Sequence, residues 1–118
     1  INKGLDIIRN PYYSGPAVYF NFAVEPLNRV EFRQAVAHII DREENGFVSL
    51  GESGVAVEYM AGVSDNLLVN YVSEDVLESL NTYDLDLDAA AALLESIGYT
   101  KGADGTWADD EGNALAFE

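Results

Sequence analysis

The sequence contains no cysteine. That excludes a disulfide framework and any zinc or iron–sulfur site held by thiolates, and it leaves the redox compartment open. Positive charge is scarce: Lys and Arg total 6 against 21 Asp and Glu, for a formal net charge of -15. A nucleic-acid binder needs basic patches to displace counterions from phosphate, so nucleic acid is excluded as a partner. An anionic membrane surface would repel the chain as well. No apolar run approaches the ~18 residues of a membrane-spanning helix. There is no N-x-[ST] acceptor, no internal repeat, no P-loop and no GxGxxG turn.

What is present argues for a folded chain. An acidic excess can mean disorder, but 48% hydrophobic and 11% aromatic content supply a core. The length, 118 residues, suits one domain at most. Position 1 is not Met and the chain closes inside the strand-like run 114–117, so residues 1–118 are expected to be a single fragment of a longer protein. The charge balance points to a halophilic protein. In strong salt, screening shortens to a few ångströms, and like charges stop opposing the compact state.

Residues 1–16 read as an entry segment, with Asn10-Pro11 and Gly15-Pro16 as breakers. Residues 17–24 are rich in Val, Tyr and Phe and predict a strand. Its alternation places Val18, Phe20 and Phe22 on one face and Ala17, Tyr19 and Asn21 on the other. A helix is expected after Asn28, which reads as an N-cap with Glu31 three residues on. Phe32, Val36, Ile39 and Ile40 form its apolar stripe, with Glu31, Gln34, His38, Asp41 and Arg42 largely opposite. The helix continues or restarts over residues 41–50 and stops at Gly51. Residues 52–72 read as a long connection, and a short helix follows over 74–80. Asp86 caps a helix over 87–97, with Leu87, Ala90, Leu94 and Ile97 buried, Leu93 flanking and Gly98 as the stop. Residues 106–108 and 113–117 read as strands joined by the acidic turn 109–112.

Each candidate site has a plainer role beside it. Asp84, Asp86, Asp88 and Glu95 fall at positions 1, 3, 5 and 12 of a calcium loop, but position 6 is Ala89 where the sharp turn needs Gly. An N-cap followed by a solvated acidic face is the preferred reading. His38, the single His, lies on a polar helix face with no second His or Cys, so no metal site is assigned. No Ser/His/Asp arrangement supports nucleophilic catalysis, and pairs such as Glu43/Glu44 and Asp109/Asp110 are expected by chance in so acidic a chain. No cofactor is implied, and the chain is not expected to be an enzyme. Arg33 is read as bonded within the domain, to Asp41 or to a strand-end carbonyl. Tyr19, with Ala17 and Asn21, is the one ligand-binding candidate, because an Asn is more easily accommodated on a cleft surface than in an apolar core. Asn21 bonding a nearby backbone group is an equal alternative.

Two segments at a set distance carry a family resemblance. The first is Tyr19-Phe20-Asn21, then Pro26, then Arg33-Gln34-Ala35, closed by Asp41-Arg42. The second is Asp86, Ala90, Leu93-Leu94, Gly98-Tyr99, Asp104-Gly105 and Trp107. In this order the chain, over residues 18–117, resembles the solute-binding proteins of peptide ABC importers, extracellular solute-binding family 5. Three departures stand out: Arg29 and Glu31, where the family often has Asp and Arg; Leu87, where it has Pro; and residues 62–80, which follow no general family pattern.

The resemblance implies an α/β fold, a partial lobe of the periplasmic-binding-protein-like kind (type II, cluster C), with a mixed sheet and flanking helices. It places the chain in the first half of the second of two lobes that close on a ligand by hinge motion. It implies capture of extracellular oligopeptides or dipeptides and their delivery to an ABC permease, with Ala17 and Tyr19 near the cleft. Location would be extracellular, through the parent's lipid anchor, or periplasmic. Most residues that hold peptide termini would lie on segments not contained here, so the fragment alone should bind ligand weakly or not at all. An unpaired strand edge predicts self-association. Alternatives are an importer subunit for nickel or another non-peptide solute, a calcium-binding surface module, and a hydrolase carrying scattered acids.

Overall fold

The computed structural model describes residues 4, 6, 8, 11 and 15–116. The elements are α1 (Val30–Ile39), α2 (Arg42–Leu50), a 3-10 turn (Gly51–Ser53), α3 (Asp65–Tyr71), α4 (Glu74–Leu77), α5 (Leu87–Ser96), β1 (Thr100–Lys101) and β2 (Trp107–Ala108). The chain divides into two compact units. One comprises residues 1–17 and 41–82, the other residues 18–40 and 83–118.

The second of these units is built on α1 packed against α5. Phe32 and Ala35 from α1 and Ala90 and Leu94 from α5 form its buried core. Phe20, Leu27, Val36, Leu93, Ile97, Tyr99, Trp107 and Leu115 pack around them, half-buried. The stripe expected for each helix holds except at one residue of each. Ile39, the last residue of α1, and Leu87, the first of α5, are 51% and 67% exposed. The small Ala35, absent from the expected stripe, is buried and lets the helices approach.

Helix ends follow local chemistry. α5 starts where Asp86 Oδ1 accepts the Asp88 and Ala89 amides at 3.0 and 2.9 Å. It stops in a Schellman motif: the Gly98 amide donates to the Glu95 carbonyl and the Tyr99 amide to the Leu94 carbonyl, with Gly98 at φ +96°. α1 starts one residue later than expected, at an Arg29 cap with no side-chain bond. The Arg29 amide is instead taken by the Pro26 carbonyl at 2.8 Å, so a turn rather than an Asn28 cap leads into the helix. After α5 the chain forms a small antiparallel meander. Thr100 pairs with Ala108 and Lys101 with Trp107, and Ala108 makes a single bridge to Ala114. β1 was not expected. The second expected strand is reduced to that bridge, and its end at Phe117 lies outside the described residues.

The strand expected over 17–24 does not form. Residues 17–21 have no regular secondary structure and pair with no strand among the described residues, and residues 22–28 are turns and a bend. The cause is local: Asn21 Oδ1 accepts the Ala23 amide at 3.0 Å and the Asn21 carbonyl accepts the Val24 amide at 3.1 Å. Side chain and backbone together bend the chain where the ladder would have continued. Among the described residues the expected mixed sheet is thus only the two-stranded antiparallel pair.

The other described unit carries α2, α3 and α4. α1 ends at Ile39, and the helix restarts at Arg42 because Asp41 accepts the Glu44 amide at 2.8 Å. α2 ends at Gly51, at φ +62°. The connection expected over 52–72 contains α3, whose Leu68 is the one buried hydrophobic side chain of this unit among the described residues. Gly54 lies so close to Gly46 that a Cβ would collide with the Gly46 carbonyl. Asp65 Oδ2 accepts the Glu58 amide at 2.6 Å, while its Oδ1 is buried with no partner. α4 ends at Leu77, short of the expected residue 80. The Ser79 and Leu80 amides close two tighter turns on the Val76 and Leu77 carbonyls. The entry segment's Asn10 lies outside the described residues.

Candidate functional site

The segment 18–22 leads into α1 and is held to the core by Phe20. Alternation along it holds at that anchor: Phe20 turns inward while Tyr19 is 92% exposed and Asn21 exposed. It fails on either side, because Val18 and Phe22 are 58% and 64% exposed where the pattern placed them beside Phe20. Phe22 is instead covered by the Arg33 guanidinium, 4.7 Å from the ring centroid. Arg33 Nη1 also donates to the Leu27 carbonyl at 3.0 Å. Arg33 therefore bonds a backbone carbonyl, as its sequence context suggested, and does so in a turn rather than at a strand end. Asn21 takes the turn-forming role described above. Ala17 is exposed and belongs to the other unit.

The polar face of α1 has an occupant that local sequence could not reveal. His38 Nδ1 lies 2.7 Å from the Asp84 carbonyl, and a carbonyl only accepts, so Nδ1 carries the proton. The His38 carbonyl accepts the Asp86 amide at 2.9 Å. Gln34 Nε2 donates to the Tyr83 hydroxyl at 3.2 Å. The Tyr83 ring meets His38 edge to face, with centroids 5.5 Å apart. Tyr83 has φ +51°, a conformation that non-glycine residues adopt only where their surroundings impose it. The single His is thus a tether between residues 46 positions apart.

The acids serve local architecture. Asp86 is the α5 cap, and Asp88 and Glu95 are exposed on a helix that occupies residues 87–95 of the supposed calcium loop. Among the described residues no three His, Asp or Glu side chains come together as a metal site would require. Asp109 accepts the Glu111 and Asn113 amides and the Asn113 side chain. These bonds, that of the Asn113 side chain first, hold its carboxyl below the ordinary 3.8. Asp104 is lowered in the same way by the Thr106 amide. Tyr99 moves upward, chiefly through burial and then through the charges of Asp109 and Glu25. Arg29 lies 3.6 Å from Glu25 and 3.7 Å from Glu31, in exposed pairs that contribute little to stability. No helix among the described residues is long and apolar enough to cross a membrane.

The arrangement offers exposed aromatic surface on a segment anchored to the core by Phe20. No curated protein sequence matches the chain significantly. The family model described as bacterial extracellular solute-binding proteins, family 5 Middle, matches residues 1–115. The match spans nearly the whole chain, and the chain belongs to the family 5 bacterial extracellular solute-binding proteins.

Proposed function

We propose that the chain is the first half of the second lobe of an ABC-importer binding subunit that captures extracellular oligopeptides or dipeptides and passes them to its permease. Membership of a solute-binding family supports the general role. The observation that carries the finer reading is Tyr19, 92% exposed beside the buried anchor Phe20. A phenol ring presented in this way stacks on peptide planes and side chains with little loss of conformational entropy. Asn21, bonded to its own turn, acts by shaping the backbone beside Tyr19, and the exposed Ala17 completes the proposed set. No step of covalent chemistry is assigned. The calcium reading is disfavoured because the Asp86 oxygen is already taken by two helix amides. The same reading includes a lipid-anchored or periplasmic location, a halophilic source, and self-association of the isolated fragment.

The test is mass spectrometry of the small molecules released by denaturation from the full-length protein purified out of its source. A ladder of short peptides is expected. A nickel chelate would establish the metal-importing alternative, and a sugar would equally overturn the peptide assignment. Tyr19→Ala in the full-length protein should weaken binding of the identified peptide about tenfold, since one good aromatic contact is worth roughly 1.4 kcal/mol.

A further inference from the structure

We infer that residues 41–82 open as a unit of their own while residues 18–40 and 83–116 stay folded, and that Gln34, His38 and Tyr83 are the latch that makes this possible. The two parts are unequally consolidated. Residues 18–40 and 83–116 hold a buried core of Phe32, Ala35, Ala90 and Leu94. Residues 41–82 bury Leu68 alone, and no side chain of α2 is buried. They also carry the unpartnered Asp65 Oδ1, which lowers their stability further. Few buried apolar contacts are what locate low-energy opening within a structure.

Opening such an insertion would ordinarily free both of its ends and fray the elements that flank it. Here the chain leaves at Ile40 and returns at Tyr83, and both passages are fixed to α1 from within the better packed unit. His38 bonds Asp84 through its ring and Asp86 through its carbonyl. Gln34 holds the Tyr83 hydroxyl, and the His38 and Tyr83 rings meet edge to face. These contacts lie wholly within residues 18–40 and 83–116 and hold Tyr83, at its left-handed φ of +51°, against α1.

Native-state amide exchange on the whole chain tests the inference. The α2 and α3 amides should exchange about tenfold or more faster than those of α1 and α5, and the Asp86 amide should follow the slow group. Identical protection across all five helices would overturn it, as would an Asp86 amide that follows α2 and α3. His38→Phe keeps a ring and removes the donor. It should speed exchange at Asp86 about three- to tenfold, the effect of one lost hydrogen bond. Protection at Leu94 should change far less, and His38→Asn, which restores a donor near Nδ1, should recover most of the loss. A His38→Phe effect of equal size at Leu94 would reveal general destabilisation and count against the latch. If that variant does not fold, the wild-type ranking of Asp86 against α2 and α3 decides.

Discussion

Replacing Asp86 with alanine removes the acceptor used by the Asp88 and Ala89 amides at the start of α5, at 3.0 and 2.9 Å. Loss of an N-cap costs about 1 kcal/mol, and about 2 at most. With ~2.1 cal/mol/K of unfolding entropy per residue, the 118 residues give roughly 0.25 kcal/mol/K. One kcal/mol then lowers Tm by about 4 °C. Asparagine caps as well as aspartate, so Asp86→Asn loses only the formal charge, and molar KCl screens that difference. The Asp86 amide bond to the His38 carbonyl is main-chain and survives both substitutions. Thermal melts in molar KCl should therefore rank wild type and Asp86→Asn within about 1 °C of each other, with Asp86→Ala about 4 °C below. Calcium at millimolar concentration should shift none of the three. An Asp86→Asn variant that falls as far as Asp86→Ala, with a wild type that calcium stabilises, would refute the cap and restore the calcium loop.

Three further outcomes are expected. The formal charge of -15 should make Tm rise between dilute buffer and molar KCl, and a melting temperature that does not move would refute the halophilic reading. Gly54→Ala drives a Cβ into the Gly46 carbonyl, backbone against backbone, and should cost about 1–3 kcal/mol in a denaturant melt, whereas Gly15→Ala, which meets nothing within 4 Å, should cost less than about 0.5. Tyr99 holds its proton above the ordinary 10.0 in the folded chain, through burial first. Its stabilising effect is complete below pH 10 and is lost as pH rises through the higher folded value, so the wild type should lose Tm more steeply than Tyr99→Phe above pH 10 and in parallel with it below.

The two helices that build the core were legible because their signals are local. Asp86, the Ala-Leu period and Gly98-Tyr99 specify start, face and stop of α5 within a dozen residues. α3 was missed because Asp65-Asn66-Leu67-Leu68-Val69-Asn70-Tyr71 has weak helix formers and one buried position, although Ser64 and Asp65 mark its start. The strand expected over 17–24 does not form, since β-propensity reports fitness for a paired surface and not the presence of a partner. At the candidate site, the alternation set Tyr19 apart from Phe20, and Phe20 packs on the core while Tyr19 is exposed. The partners of Gln34 and His38 were not legible, because they lie 49 and 46 residues away. No periodicity links such positions. The Arg33 cover on Phe22 depends on the same turn that ended the strand, so missing the turn also hid the stacking.

Asp86 also joins the two core helices electrically. Its amide reaches the last turn of α1, where carbonyls leave a partial negative charge. Its carboxylate sits on the first turn of α5, where amides leave a partial positive one. The negative end of one macrodipole thus meets the positive end of the next across a single residue. Such a join is compensated from within and has little need of counter-ions from solvent. The salt sensitivity of this chain should accordingly arise from its acidic side chains, while the α1–α5 pair persists at ionic strengths where the rest of the surface has begun to repel itself.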